Sequence, residues 1–401
     1  MVASAALSFA DMPEVPAGDQ PEGGFWNTGT GRFLKRVDTM LEDMQRSGID
    51  TAYQDIPKLN RQVYIGSYGY YQHYRLHFPF QLPGDVSQYV PELAEKMYYE
   101  TRSHSIYAEM DLGIDWKGLL IEIPIPLRSS YIRSYGLAKS GSKWGFRLRY
   151  KRAGKLSGTR NYGNMGTVLD DFIDNNREEL VNSGYDVDEM QHELSYFKKK
   201  SVSKDKHQLK TFFAEGYYVL NSSKFSLSAG LFADMVQKRS AGSLLFYGNY
   251  YWSRYSVNDM FISDFDSFRT QQFSVGCGYG YNWALKGGRL VLHGSVVPMF
   301  SVYSDLLHKS RWEQADASMS EEEVRVLEES KKVWNKFYDS ADHGTPRFRA
   351  NAFARIAANY SFDRYVITFL LNYRNYGYSN NKQLGIMNQE IDAQLNLGYR
   401  F

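Results

Sequence analysis

From residue 61 onward, apolar and polar residues alternate with period two over long stretches of the chain. In the last segment Ala393, Leu395, Leu397, Tyr399 and Phe401 share one face, and Asn396, Gly398 and Arg400 take the other. The same alternation sets Tyr365, Ile367, Phe369, Leu371 and Tyr373 against Thr368, Asn372 and Arg374, and Ile106, Ala108, Met110, Leu112 and Ile114 against Glu109, Asp111 and Asp115. Twelve such segments are predicted, near 61–78, 103–115, 117–127, 143–152, 209–220, 224–232, 242–253, 271–284, 288–303, 348–361, 364–376 and 386–401. Many run 10 to 16 residues, against about 5–6 in ordinary globular strands and about 9–11 needed to cross a bilayer. Length combined with alternation predicts an all-β chain, a closed antiparallel transmembrane β-barrel of about 12 strands. Closure is required because hydrocarbon offers no hydrogen-bond partner to an open sheet edge. The Leu, Ile, Ala and aromatic face is expected to meet lipid, with rings gathered near the strand ends, and the polar face to line the lumen.

Where the period lengthens to 3.6, helices are predicted. Phe33, Leu34, Val37, Met40, Leu41 and Met44 form one stripe over 31–47, stopped at Gly48, and this helix is expected to pack on the inner rim of the barrel. Helical insertions are predicted over 167–200, with Thr167 as N-cap, a break at Gly184 and Lys198, Lys199 and Lys200 at the end, and over 320–338, opened by the capping-box pair Ser320 and Glu323. The chain thus divides into a tail and amphipathic helix, 1–60, and a barrel, 61–401, with insertions at 153–208 and 304–347. Residues 1–10 read as a signal remnant or a tail, since a basic start and a longer apolar core are missing. If the last strand ends in the periplasm, counting back puts the short links 285–288 and 362–363 there, and the long ones at 79–102, 254–270 and 304–347 outside. The same count puts the 153–208 insertion in the periplasm and a short hairpin at 221–223 outside.

Composition removes several alternatives. Mean hydropathy is −0.49, and no run of apolar residues is long enough for a membrane helix. Aromatic residues make up 16% of the chain, which excludes disorder, and a net charge of +2 gives no reason to expect nucleic acid as a partner. One cysteine, Cys277, rules out a disulfide framework. No metal site or cofactor is expected: His73 and His77 share a strand face, where packing in the aromatic belt is the expected role.

The charges on the lumen phase carry the candidate chemistry. Glu109, Asp111, Asp115 and Glu122 form an acidic group on the second and third segments, Arg147, Arg149 and Lys151 lie beside it, and Arg349, Arg355, Arg374 and Arg400 form a basic group on the last three. Closure would set acid and base on opposite walls, as in a porin constriction, or knit them into an ion-pair network filling the lumen. Gly276, Gly278 and Gly280, all inward, are expected to leave room there. His293 and Ser295 share the lumen phase with no acid assigned beside them, so no catalytic residue is assigned and no enzyme is expected.

The segment 212–247, with Val219-Leu220-Asn221, Lys224-Phe225-Ser226 and above all Gln237-Lys238-Arg239-Ser240-Ala241-Gly242-Ser243, together with Asp50-Thr51-Ala52-Tyr53 upstream, resembles the outer-membrane family called domain of unknown function 4421, found in Bacteroides-group bacteria. The resemblance would cover roughly 50–401. It implies the bacterial outer membrane and its lipid, and brings no catalytic residue. The ending Leu395, Leu397, Tyr399, Phe401 resembles the signal read by the outer-membrane assembly machinery. The leading expectation is a narrow pore or passive transporter for small polar solutes. The alternative is a non-conducting structural or docking barrel with a periplasmic or outer-membrane partner protein, and the third is an outer-membrane enzyme.

Overall fold

In a computed structural model, the described residues are 28–79, 98–125, 132–154, 157–161, 165–194, 200–202, 207–257, 265–310, 350–379 and 385–401, with isolated positions between 320 and 328. Twelve strands close into one antiparallel barrel: β1 Arg61–Pro79, β2 Tyr98–Trp116, β3 Leu119–Ile125, β4 Ile132–Lys139, β5 Trp144–Gly154, β6 His207–Val219, β7 Ala241–Val257, β8 Phe265–Leu285, β9 Leu290–Ser310, β10 Ala350–Phe362, β11 Tyr365–Ser379 and β12 Gly385–Arg400. Each pairs with its sequence neighbours, and β12 returns to β1 with Gly398 opposite Tyr64, so the ring has no free edge. This is the transmembrane barrel that the alternation predicts.

The strand count agrees with the sequence through two differences that cancel. Ile132–Lys139 is a strand where none is expected. Conversely, the predicted strand at 224–232 is a short helix, Leu227–Leu231, folded into the barrel, with every residue from Phe225 to Leu231 buried. The extra strand ahead of it reverses the sidedness of everything between. The links at 117–118, 140–143, 220–240, 286–289 and 363–364 lie at one end with the chain terminus, so the 221–223 hairpin belongs to the short-turn end. The 153–208 insertion lies at the other, long-loop end, where Ser157–Asn161 pairs with the upper part of β2 and with Lys200–Val202. The insertion holds three helices, α2 Met165–Asn175, α3 Arg177–Asn182 and α4 Val187–Leu194, following the N-terminal helix α1 Gly29–Arg46 and preceding α5 Leu227–Leu231. Thr167 falls inside α2 rather than capping it, Lys200 starts a strand, and Lys198 and Lys199 lie outside the described residues. Of the helix expected over 320–338, only residues 321, 324, 325 and 328 are described, and they are helical.

The outward face is an apolar band. Ile65, Ile121, Ile123, Leu244, Val275, Val296, Ile356, Ile367 and Leu395 are all exposed on it. Trp116, Trp144, Tyr218, Trp283, Phe362 and Tyr365 edge the band at the short-turn end, and Tyr71, Tyr150, Phe273 and Tyr303 lie towards the other, the two girdles of a barrel in lipid.

One tight turn carries positional strain. Lys117 and Gly118 join β2 to β3 with φ of 52° and 79°, both in the left-handed region that a type I′ hairpin requires. A Cβ on Gly118 would also sit 2.8 Å from the Ser140 carbonyl oxygen.

Thr28 caps α1, accepting a hydrogen bond from the Gly31 amide, and the helix ends before Gly48 at φ 73°. It crosses the short-turn rim from outside rather than entering the lumen, which α5 already fills. Of its apolar stripe only Leu41 is buried, while Phe33, Leu34 and Met40 stay exposed. Polar contacts dock it: Lys117 Nζ donates to Asp38 Oδ2 and Glu42 Oε2, each at 2.8 Å, and the Trp116 indole N–H donates to Asp38 Oδ1 at 2.8 Å. The bond from Lys117, then its charge, holds the Glu42 carboxyl below its ordinary 4.5. A depressed carboxylate stabilises docking above its undocked pKa and loses that contribution as pH falls through the docked one. α1 is therefore expected to stay docked at neutral pH and to leave the rim on acidification below 4.5. Trp116 emission checks this: a titration with no change, or one unaltered by Trp116→Phe, would contradict it.

Candidate functional site

The lumen is the site the sequence singles out, and it is filled in three tiers. At the short-turn end the chain between β6 and β7 turns inward as a plug. Its backbone is held by wall amides: Asn359 Nδ2 donates to the Ala229 and Gly230 carbonyls at 2.8 and 2.6 Å, Asn282 Nδ2 to the Ser226 carbonyl at 2.7 Å, and Gln62 Nε2 to the Phe232 carbonyl at 3.2 Å. Arg400 donates to the Ala233 carbonyl, and buried Asp234 accepts from the hydroxyls of Ser140 and Ser228. Gln237 locks the neck, accepting from the Ser226 amide at 3.0 Å and donating to the Lys224 and Arg239 carbonyls at 2.7 and 2.8 Å. Val236–Gln237 pairs with Gln54–Asp55, and Lys238 bridges to Asp55 at 2.7 Å. The two sequence stretches that carry the family resemblance thus meet at this neck.

Above the plug lies an ion-pair network. Arg149 is its hub, 2.7 Å from Glu122 and 3.7 Å from Asp392. Arg147 stands 3.8 Å from Glu122, Arg374 2.8 Å from Asp392 and 3.5 Å from Glu390, and Lys151 pairs with Glu390. Arg355 pairs with Glu215 and donates to the Tyr247 hydroxyl at 3.1 Å. Tyr64 and Tyr68 donate to Glu122 at 2.9 and 2.5 Å. Towards the long-loop end aromatic rings fill the bore: Tyr251 stacks on Tyr376 at 3.9 Å and Tyr74 on Tyr255 at 4.4 Å, with Phe213 and Phe353 beside them. A cavity bounded by Gln62, Tyr64, Asp115, Glu122, Phe232 and Gln394 holds about 10 Å³, at the lower limit for a single water.

Glu109, Asp111, Asp115, Glu122, Arg147, Arg149, Lys151, Arg355, Arg374 and Arg400 all point inward and are buried. Arg349 lies outside the described residues. The acidic and basic groups do not form opposed walls, because three acids the sequence reading passed over, Glu215, Glu390 and Asp392, sit among the bases and pair with them. The signal was available: all three lie on the inward phase of strands already recognised. Glu109 accepts from the Ser134 amide at 2.9 Å and Asp115 from the Gly118 amide at 2.8 Å, while Asp111 finds no donor among the described residues. The tyrosines inside the bore also correct the expectation that aromatics face lipid.

Nor do the glycines open the lumen. A Cβ on Gly280 would lie 2.9 Å from Leu245 Cδ1 and 3.1 Å from Phe225 Cζ, so its space is occupied. Gly276 and Gly278 lie against the β9 backbone at Val297 to Met299, and their bareness lets β8 and β9 approach. His293 places Nε2 3.0 Å from Ser295 Oγ and Nδ1 2.7 Å from Asn282 Oδ1. That is the order of nucleophile, base and orienting amide, but Gly230 of the plug covers the imidazole and all three side chains are buried. His73 is half-buried on the outward face of β1, and the His77 side chain lies outside the described residues. At the chain end Leu395 and Leu397 are exposed to the lipid side, Tyr399 packs on Tyr365 with centroids 5.6 Å apart, and the Phe401 amide donates to the Arg61 carbonyl at 3.0 Å.

The family model described as "Domain of unknown function (DUF4421)" matches residues 108–401, beginning later than the resemblance suggests. No protein of curated function matches the chain. Among solved structures, the translocator domain of the autotransporter NalP from Neisseria meningitidis is similar at 9% identity and TM-score 0.30, covering 93% of this chain and 96% of that one. The beta domain of the Bordetella autotransporter BrkA is similar at 8% and 0.30, covering 84% and 99%. The outer membrane protease OmpT from Escherichia coli is similar at 9% and 0.31, covering 85% and 96%.

Proposed function

The chain belongs to the DUF4421 family, and from that premise we propose that it is a non-conducting barrel of the bacterial outer membrane, closed by its own chain, whose short-turn end faces the periplasm as a docking platform. The observation that carries this reading is the buried plug from Phe225 to Met235, seated against both the wall amides and the ion-pair network above it. In this reading the outward band meets outer-membrane lipid, the Leu395–Phe401 strand is what the assembly machinery reads, and α1 with the Gln237 neck forms the surface offered to a periplasmic or outer-membrane partner protein. No catalytic step is part of it: the His293, Ser295 and Asn282 side chains serve wall and plug.

A pore or passive transporter for small polar solutes is the second reading. Its support is that neutral amides supply three of the wall residues bonded to the plug backbone, a contact that exchanges for water more readily than an ion pair. Planar-bilayer recording separates the two. The intact protein is expected to give no steady conductance at neutral pH, and a reproducible open level in the unmodified chain would overturn the closed-barrel reading.

A further inference from the structure

Along α1 the charges segregate. Asp38 and Glu42 turn to Lys117 and Trp116 on the barrel, whereas Arg32, Lys35 and Arg36 line an open groove of about 790 Å³ together with Met40, Asp43, Met44, Lys143 and Trp144. Four cations thus face one carboxylate, and none of the four pairs with an acid among the described residues. The volume falls in the range of about 300–1,000 Å³ typical of small-molecule sites. Its far wall is not a soluble surface. Trp144 is the first residue of β5 and 49% exposed, and it opens the outward row Trp144, Phe146, Leu148, Tyr150. Tyr218 lies directly opposite Trp144 on β6. The groove therefore runs without a break from a cationic floor into the lipid-facing band.

We propose that this groove holds the glycerophosphate headgroup of an anionic phospholipid from the leaflet at the short-turn end. Its phosphate would lie among Arg32, Lys35, Arg36 and Lys143, and its acyl chains against Trp144, Phe146 and Tyr218. The chemistry of both halves selects this occupant. Cations at a bilayer surface draw anionic lipid at about 1 kcal/mol each, a guanidinium donates to two phosphate oxygens at once, and indole sits at the headgroup level. A free phosphate would use only the cationic half, and an apolar peptide only the other. The exposed Met40 and the half-buried Met44 supply the flexible apolar side that a glycerol backbone and upper acyl chain can pack on. The inference rests on the membrane placement proposed above.

The test reconstitutes the full chain in vesicles of phosphatidylcholine with a minor share of phosphatidylglycerol. Flotation reports insertion, and native mass spectrometry after mild extraction reports the lipid retained. The wild type is expected to float and to retain phosphatidylglycerol over phosphatidylcholine by at least about tenfold relative to the bulk ratio. The preference is expected to collapse at high salt and in the R32Q/K35Q/R36Q/K143Q variant, whose changes are on the surface and whose barrel melting should match the wild type. Excess inorganic phosphate is expected to leave the lipid in place. A chain that floats with no preference, or a variant that keeps the full preference, overturns the proposal alone. Displacement by inorganic phosphate assigns the groove to a free anion and also overturns it. A chain that floats with neither lipid overturns the membrane placement and the inference with it.

Discussion

Replacing Arg149 with methionine is expected to cost the barrel about 3–5 kcal/mol, the penalty of leaving a buried charge without its partner. Arg149 sits mid-lumen on β5, 5% exposed, with Glu122 at 2.7 Å, Asp392 at 3.7 Å and its guanidinium 5.1 Å from the Tyr68 ring centroid. Once it is removed, Asp392 keeps Arg374 at 2.8 Å, but Glu122 keeps only Arg147 at 3.8 Å and two tyrosine hydroxyls. Glu122 is the group that loses most. The companion variant Glu122→Gln, combined with Arg149→Met, removes both charges and is expected to be less destabilised than Arg149→Met alone, because replacing a buried pair by neutral groups is often close to neutral. Thermal unfolding in detergent, followed as a double-mutant cycle, reads the coupling, expected at about 1–3 kcal/mol for groups in direct contact. Additive single effects would show that the network is not an interacting unit.

The same network shows what alternation reveals and what it hides. Each lumen charge was legible because a membrane strand separates two media, lipid and polar interior, and a residue's parity then reports its face. The rule fails where the media stop differing. Phe225, Leu227, Ala229 and Leu231 alternate with Ser226, Ser228 and Gly230 as cleanly as a stave does, yet all seven are buried. Inside a filled barrel the polar side of the alternation meets wall amides instead of water. Ile132–Lys139 failed in the opposite sense. Its inward positions, Ser134, Gly136 and Ala138, are small because Glu122 occupies the space over Gly136, and a strand of eight residues with so little on one face reads as a link. β1 carries tyrosine on both faces, Tyr71 outward and Tyr68, Tyr70 and Tyr74 inward, so ring content alone could not tell belt from bore. Partner identity across the lumen depends on which strands closure brings together. Lys151 and Glu390 are far apart in the chain and meet only because β12 returns to β1.

If the plug is held as its bonds indicate, cutting those bonds is expected to expose it without harming the wall. Asn282→Ala with Asn359→Ala removes donors to the carbonyls of Ser226, Ala229 and Gly230, and each buried carbonyl left unpaired costs about 1–3 kcal/mol. That cost falls on the seated state alone, since an unseated plug recovers its hydrogen bonds from water, and the barrel ladder loses no backbone bond. Every 1.4 kcal/mol is a factor of ten in population, so the unseated fraction is expected to rise by about a hundredfold or more. Ala229→Cys in a Cys277→Ser background reads it, because Ala229 is 1% exposed when seated and Cys277 is the chain's one other thiol. A membrane-impermeant maleimide should react slowly with that thiol while both asparagines are present and at least about a hundred times faster when both are alanine. Equal rates with unchanged melting would mean that apolar packing of Phe225, Leu227 and Leu231, not the amides, seats the plug. Current through the same double variant then locates the seal. If the thiol reacts and the bilayer stays silent, the ion-pair tier closes the bore by itself, whereas conductance appearing with reactivity makes the plug the gate.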